Sequence, residues 1–229
     1  MKSSIQIPVG YMSLNGALEI PSGAKGIVLF AHGSGSSRFS PRNQHVASLL
    51  QRAGLGTLLF DLLSEDEEER DRLYGGYRFN IELMAHRLAA VTDWVVDQPA
   101  ANGLPVGYFG ASTGAAAAIN AAADRKQVVR AVVSRGGRPD LAGEALERVS
   151  APTLLIVGGA DQPVIRMNED ALQVIRAPKH LAIVPGAGHL FEEPGALDAV
   201  ARLARDWFLE YCTVFAGEHS AARLSGAAV

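Results

Sequence analysis

The residue types that carry out nucleophilic catalysis occur in this sequence in glycine-rich settings. Ser112 is the centre of a Gly-x-Ser-x-Gly motif at residues 110–114, after a short apolar run and before an alanine-rich stretch. This pattern predicts a strand, a sharp turn and a helix, with the serine hydroxyl exposed at the bend. A serine hydroxyl is a weak nucleophile at neutral pH and needs a histidine base oriented by a carboxylate.

His189 and Asp161 are the best candidates for that base and that acid. His189 is the only one of the six histidines that both follows a predicted strand and lies downstream of Ser112. Asp161 follows the predicted strand at residues 153–157, and Asp140 and Glu192 are weaker candidates for the acid. The chain order serine, aspartate, histidine is the order of a known hydrolase triad.

An oxyanion hole needs two amides aimed at the charge that develops on a substrate carbonyl. The amide of Thr113 supplies one at the start of its helix, and the loop His-Gly-Ser-Gly at residues 32–35 supplies the other from Ser34. A phosphate-binding loop is the alternative for residues 32–35, but the lysine of such loops is missing.

Apolar runs and amphipathic stretches alternate along the whole chain. They predict an α/β fold with a mostly parallel sheet flanked by helices. Residues 5–20 read as a hairpin that turns at Asn15 and Gly16, and the charged run at residues 64–72 reads as a solvated loop or helix face. The catalytic candidates all follow predicted strands, at the sheet edge where such folds bind ligands.

Length and composition favour one ordinary globular domain over residues 1–229, with a loosely held tail from about residue 216. The net charge of −3 gives no reason to expect nucleic acid or an anionic membrane as partner. No secretory leader and no apolar run long enough for a membrane span is visible, so we expect a cytoplasmic protein. The single cysteine, Cys212, cannot form an internal disulfide or a thiolate metal site.

These motifs together resemble the α/β-hydrolase superfamily and, within it, the small dienelactone-hydrolase-like proteins. The resemblance covers nearly the whole chain and rests on residues 32–35, residues 110–114, the Gly158-x-x-Asp161 segment and the Gly188-His189 pair. It implies about seven or eight strands and a serine hydrolase that cleaves small esters or lactones through an acyl-enzyme, without metal or organic cofactor. The best-known dienelactone hydrolases carry a cysteine nucleophile. Ser112 in that place favours general carboxylester hydrolysis.

Two features bear on the substrate. About eighteen residues separate the strand ending near residue 134 from the next one at residue 153, which predicts little or no lid and an open site. Four arginines, Arg38, Arg42, Arg135 and Arg138, cluster around that site. They either form surface ion pairs with the acidic run or bind a substrate anion, for which Arg135 and Arg138 are the candidates.

Two other functions stay open. One is a thioester or acyl hydrolase for a charged substrate, and the other is a binding protein with a hydrolase fold and no activity.

Overall fold

The computed structural model of the protein describes residues 3–213, so the tail predicted from about residue 216 lies outside the described residues. The strands are Ser3–Val9 (β1), Met12–Glu19 (β2), Ile27–Ala31 (β3), Gly56–Phe60 (β4), Val106–Ala111 (β5), Val129–Arg135 (β6), Thr153–Gly158 (β7) and Lys179–Val184 (β8). The helices are Pro41–Arg52 (α1), Glu65–Tyr74 (α2), Ile81–Val96 (α3), Thr113–Asp124 (α4), Ala145–Arg148 (α5), Gln162–Val174 (α6) and Ala196–Tyr211 (α7).

All eight strands form one sheet in the order β1-β2-β4-β3-β5-β6-β7-β8. Strands β3 to β8 run parallel, and β1 and β2 are antiparallel at one edge. This confirms the predicted mostly parallel α/β sheet. The strand order reverses between β3 and β5, so their carboxyl ends flank the crevice where open sheets of this kind bind ligands.

Helices cover both faces of the sheet, as buried parallel strands require. Helices α1 and α7 pack together on one face, while α3, α4, α5 and α6 cover the other. The apolar side chains of β3, β4, β5 and β7 are buried on both faces, which explains why these strands read as continuous apolar runs.

The predicted turn of the first hairpin was wrong. The chain turns at Gly10 and Tyr11, and Asn15 and Gly16 lie inside β2. Gly16 pairs with Ile5, and a Cβ built on it would lie 2.9 Å from the Ile7 side chain. The glycine therefore serves close packing in a strand, and the Asn-Gly pair misled the prediction because it is also typical of tight turns.

The connections that bear on the site are short. Between β6 and β7 the chain forms only a 3₁₀ turn, Pro139–Ala142, and the four-residue helix α5, in agreement with the prediction of little or no lid. The acidic run forms helix α2, which begins with a capping box between Ser64 and Glu67. No helix in residues 3–213 has the length and apolarity needed to cross a membrane.

Candidate active site

Ser112 lies at the bend between β5 and α4 in a backbone conformation that is rare for a serine. Its φ is +51° and its ψ is −122°, and only one other non-glycine residue among residues 3–213 has a positive φ. Such strain is typical of the sharp strand-to-helix turn that presents a nucleophile. The side chain of Ser112 is half-buried and makes no capping bond to its helix, so its hydroxyl stays free for other partners.

The two glycines of the motif let this bend pack against its neighbours. A Cβ on Gly114 would lie 2.2 Å from the Ala31 carbonyl oxygen, and one on Gly110 would lie 2.5 Å from the Ala115 Cα. A side chain at Gly114 would therefore push α4 away from the end of β3, and one at Gly110 would push α4 away from β5. This close packing explains why the motif has a glycine two residues before the serine and another two residues after it.

His189 and Asp161 meet at the same edge of the sheet. His189 Nδ1 lies 2.7 Å from Asp161 Oδ2, and the aspartate side chain is mostly buried whereas the histidine side chain is 41% exposed. Gly158 makes this contact possible, because the chain at residues 187–188 passes within 2.3–2.5 Å of where its Cβ would be. A carboxylate in this position accepts the Nδ1 proton and leaves Nε2 free to act as a base.

The two weaker acid candidates have other partners. Asp140 forms a bidentate pair with Arg138 (2.7–3.2 Å), and Glu192 lies 3.4 Å from Arg42. Neither of them contacts the His189 ring within the described residues.

Ser112 and His189 lie on either side of the turn that follows β6. The Ser112 amide donates to the Arg135 carbonyl oxygen (3.2 Å), and a Cβ on the next residue, Gly136, would lie 3.6 Å from His189 Cε1. Within residues 3–213 the Ser112 hydroxyl makes no hydrogen bond to the ring. Such bonds are often long before substrate binds and tighten in the complex.

Ser34 and Thr113, the predicted oxyanion-hole residues, contact each other. The Ser34 amide donates to Thr113 Oγ1 (3.0 Å), and the two hydroxyl oxygens are 2.9 Å apart. Thr113 is the first residue of α4, so its amide has no carbonyl four residues earlier in the helix to bond to. In this structure the Thr113 hydroxyl thus accepts the hydrogen bond of the Ser34 amide, which is one of the two predicted donors. An oxyanion would have to replace that hydroxyl as the acceptor.

His32 is the first residue of the loop at residues 32–35, here called the oxyanion loop. Its ring links that loop to the end of β4. Its Nε2 accepts the Leu62 amide (3.0 Å), and its Nδ1 lies 3.0 Å from the Gly33 carbonyl oxygen. A ring that accepts at Nε2 and donates at Nδ1 is neutral. Burial lowers the pKa of His32 below 6.5, and the nearby carboxylates of Asp61 and Glu68 offset only part of that effect.

The sequence did not reveal that the segment after α2 supports the oxyanion loop. Ser34 Oγ donates to the Arg78 carbonyl oxygen (2.7 Å). Asp71, which is 3% exposed, accepts the amides of Tyr77 and Arg78 and also pairs with the Arg78 guanidinium. Asp71 lies inside the acidic run, and the sequence around it does not distinguish it from its solvated neighbours. Only its burial and its partners distinguish it.

The four arginines near the site differ in their partners. Arg38 pairs with Asp61, and the Arg138 pair with Asp140 is about one-third exposed. The Arg38–Asp61 pair is mostly buried, so only the Arg138–Asp140 pair resembles the surface alternative, and neither carboxylate belongs to the acidic run. Arg135 is 7% exposed at the end of β6 and has no carboxylate partner among the described residues.

Phe191, the other non-glycine residue with a positive φ (+56°), was also missed. It is buried two residues after His189, and the Arg135 guanidinium lies 6.0 Å from its ring. A bulky residue in this conformation is strained, and nothing in its sequence signals it. Residues 3–213 hold no cluster of three or more side chains suited to binding a metal ion.

Comparison with known proteins agrees with this architecture. The Dienelactone hydrolase family matches residues 14–218. A solved dienelactone hydrolase from Anabaena variabilis is 60% identical and has a TM-score of 0.91. The match covers 93% of this chain and 98% of that one. The structure of Est1E from Butyrivibrio proteoclasticus shares the fold with a TM-score of 0.76 at 15% identity, over 90% of this chain and 98% of that one.

A curated relative from Mycobacterium tuberculosis (strain H37Rv), named "Putative phosphoribosyl transferase", is 58% identical over 207 residues. That match takes in 90% of this chain but 46% of the relative, so the chain spans about half the length of that protein. The relative's name therefore describes a protein about twice as long as the matching part. The family match and the solved relative cover nearly the whole described chain, and with its α/β-hydrolase fold the protein belongs to the dienelactone hydrolase family.

Proposed function

We propose that the protein is a serine hydrolase that cleaves small carboxylic esters or lactones through an acyl-enzyme intermediate. The observation that carries this proposal is the positive φ of Ser112 at the end of β5, with the His189–Asp161 pair across the turn that follows β6. Family membership supports hydrolysis, and the serine at the centre of the motif supports an oxygen nucleophile. Ser112, Asp161 and His189 are the proposed catalytic residues.

In the proposed reaction His189 Nε2 takes the proton of Ser112 Oγ as the oxygen attacks the substrate carbonyl. The Asp161 carboxylate accepts the Nδ1 proton and stabilises the imidazolium that forms. The histidine then protonates the leaving alcohol, or the ring oxygen of a lactone. Water, activated by the same histidine, releases the acid and restores Ser112.

The oxyanion is assigned to the amides of Thr113 and Ser34. The Ser34 amide starts from its bond to the Thr113 hydroxyl. A charged oxygen accepts a hydrogen bond roughly twice as strong as a neutral hydroxyl does, so the developing oxyanion draws this donor away. The Ser34 amide therefore makes a stronger hydrogen bond in the transition state than in the ground state. An interaction that strengthens in this way accelerates the reaction.

The test is a panel of p-nitrophenyl esters, lactones and thioesters with wild type, Ser112→Ala and His189→Gln. We expect measurable hydrolysis of small esters by wild type and loss of nearly all of it in both variants. Both variants should unfold at close to the wild-type temperature, because each replaces a partly exposed polar side chain. Ester turnover retained by Ser112→Ala would refute the proposal, and preference for thioesters would favour the acyl-thioester alternative.

A hydrolase-fold binding protein without activity is the remaining alternative. It predicts no turnover of any ester in the panel and no reaction of wild type with serine-directed organophosphates. The short connection between β6 and β7 leaves the site open, so a small probe has access to Ser112. Cytoplasmic location and the absence of nucleic-acid and membrane partners stay predictions from composition.

A further inference from the structure

Asn168 is a buried amide on helix α6, beside the turn that follows β6. Its side chain is 0% exposed, and its Nδ2 donates to the carbonyl oxygens of Val164 (2.8 Å) and Gly137 (3.0 Å). The first bond lies within the helix, and the second reaches residues 136–138, here called the β6 turn. Asn168 Oδ1 is buried and has no hydrogen-bond partner within residues 3–213. Asparagine is a poor helix former and an unpaired buried oxygen is costly, so the bond to the turn is what distinguishes this residue from an apolar one.

The β6 turn is joined to the bend that carries Ser112 by two main-chain hydrogen bonds. The Ser112 amide donates to the Arg135 carbonyl oxygen (3.2 Å), and the Arg138 amide donates to the Ser112 carbonyl oxygen (3.1 Å). Gly137 lies between these two arginines, and a Cβ on it would collide with the Ser134 hydroxyl. A shift of Gly137 would therefore be passed to the main chain on both sides of the proposed nucleophile.

The same turn lies against the loop that carries His189. Gly136 has a φ of +52°, and a Cβ on it would lie 3.1 Å from the His189 carbonyl oxygen and 3.6 Å from His189 Cε1. The Gly136 amide donates to the Ile156 carbonyl oxygen in β7 (2.8 Å), which fixes the start of the turn. The β6 turn thus lies between the proposed nucleophile and the proposed base, so its position affects the distance between them.

Helix α6 connects this turn to the proposed acid. Asp161 is the N-cap residue of α6, and its Oδ2 lies 2.7 Å from His189 Nδ1. Asn168 follows seven residues later on the same helix, which is two turns or about 10 Å along the axis. One helix therefore holds His189 through Asp161 and holds the β6 turn through Asn168.

We propose that Asn168 is a positioning residue for catalysis, which fixes the distance between Ser112 and His189 by holding the β6 turn on α6. This inference rests on the proposed ester hydrolysis and adds a residue that touches neither the substrate nor the reacting atoms. Loss of the amide releases Gly137, and the Ser112 bend then shifts relative to the His189–Asp161 pair. A displacement of about 1 Å between reacting groups can lower a rate about a hundredfold.

The kinetics of Asn168→Leu and Asn168→Ser test this role. Leucine has nearly the shape of the amide without its donor, and serine keeps a hydroxyl for the Val164 carbonyl oxygen but is too short to reach the turn. We expect kcat on one small neutral ester to fall about tenfold to a hundredfold in both variants, with little change in KM. The Tm of Asn168→Leu should stay near that of wild type, because leucine removes an unpaired buried oxygen together with the donor. A role in stability alone predicts the opposite result, a lower Tm with the kcat of wild type.

Asn120→Leu is the matched control. Asn120 lies in helix α4, and its Nδ2 also donates to the carbonyl oxygen four residues earlier, that of Ala116 (3.0 Å). Its second contact is the Ala142 carbonyl oxygen in the 3₁₀ turn (3.5 Å), away from the β6 turn. We expect Asn120→Leu to keep the kcat of wild type. Equal losses of kcat in Asn120→Leu and Asn168→Leu would refute the proposal.

A nuclear magnetic resonance readout separates this inference from the proposed function. In protein with isotope-labelled histidine, the Cε1–H signal of His189 is assigned by its absence from His189→Gln. We expect this signal to shift in Asn168→Leu and to keep its position in Asn120→Leu, because Gly136 lies against Cε1. Should leucine prevent folding, Asn168→Ser gives the same comparison.

Each combination of results decides one of the two claims. If wild type hydrolyses no ester, the proposed function fails, and the His189 signal alone decides the role of Asn168: a shift supports it and an unchanged signal refutes it. If wild type is active and both Asn168 variants keep its kcat, the proposed function stands and the positioning role is refuted.

Discussion

At the scale of single residues, the backbone of Ser112 matters as much as its hydroxyl. The φ of +51° at Ser112 is a strained conformation that an ordinary helix-capping serine does not adopt. This conformation leaves the half-buried Ser112 hydroxyl without a capping bond and places it at the N-terminus of α4. Gly110 and Gly114 keep this bend in place because no side chain fits at either position.

The orientation of His189 by Asp161 can be tested with two matched variants. Asp161→Asn should lower kcat by about a thousandfold to ten-thousandfold, because an amide favours the wrong tautomer of the ring. Asp140→Asn removes the same charge from a residue that pairs with Arg138 and should leave kcat near wild type. The measurement is kcat on one small ester for both variants. A large loss in Asp140→Asn with activity kept in Asp161→Asn would contradict the assignment.

For single side chains, the sequence did not reveal how deeply each one is buried or which residues it contacts. Ser112, Asp161 and His189 were predicted to share one edge because each follows a strand, and parallel strands end together. Arg135 and Arg138 could not be told apart, because ion pairing depends on side chains from distant segments. Phe191 combines a positive φ with a buried ring, and neither property is visible in the local sequence.

At the scale of elements, loops that join neighbouring strands hold the oxyanion segment. His32 connects the end of β3 to the end of β4 through the Leu62 amide. Because the folded protein lowers the pKa of His32, the unfolded chain binds more protons than the native one as the pH falls below 6.5. The contribution of this neutral ring to stability is therefore complete above that pH and is lost progressively below it.

We expect His32→Gln to reduce the acid sensitivity of the fold. Glutamine can keep both hydrogen bonds but does not titrate, so the free energy of unfolding should fall less between pH 7 and pH 5 than in wild type. His86→Gln, a change at an exposed histidine on α3, is the control. Urea unfolding at a series of pH values measures the difference. An unchanged pH dependence in His32→Gln would contradict the neutral, buried state of this ring.

The segment between α2 and α3 is the second support of the oxyanion loop. Asp71→Asn removes the charge that holds Arg78, whose carbonyl oxygen accepts the Ser34 hydroxyl. We expect kcat to fall while KM for a small neutral ester changes less, because the loop stabilises the transition state. Asp66→Asn, an exposed neighbour on α2, should behave as wild type. Equal kinetics in the two variants would show that this segment does not position the loop.

Element types were easier to predict than their details. Buried parallel strands read as apolar runs and amphipathic helices as periodic ones, so the architecture followed from the pattern. The hairpin turn was placed five residues too late because Asn15-Gly16 resembles a turn while Gly16 in fact allows close packing with Ile7. The role of α2 was hidden because a capped acidic helix and a solvated acidic loop share the same composition.

At the scale of the whole molecule, the buried Arg135 cation at the end of β6 should lower stability. Arg135 is a buried charge without a carboxylate, and methionine fills a similar volume without that charge. We expect Arg135→Met to raise the free energy of unfolding by about 1–4 kcal/mol and therefore to raise Tm. Thermal unfolding of wild type and variant measures the difference in Tm. A lower Tm would contradict the account of Arg135 as an uncompensated charge.

The central claim is that Ser112 is the nucleophile, and covalent labelling tests it most directly. Wild type is treated with a fluorophosphonate, and the intact mass and the peptide carrying the adduct are determined, with Ser112→Ala alongside. The account predicts one adduct per chain, on Ser112, loss of ester turnover in step with labelling, and no adduct in Ser112→Ala. An adduct on another serine such as Ser34, together with turnover retained by Ser112→Ala, would contradict it.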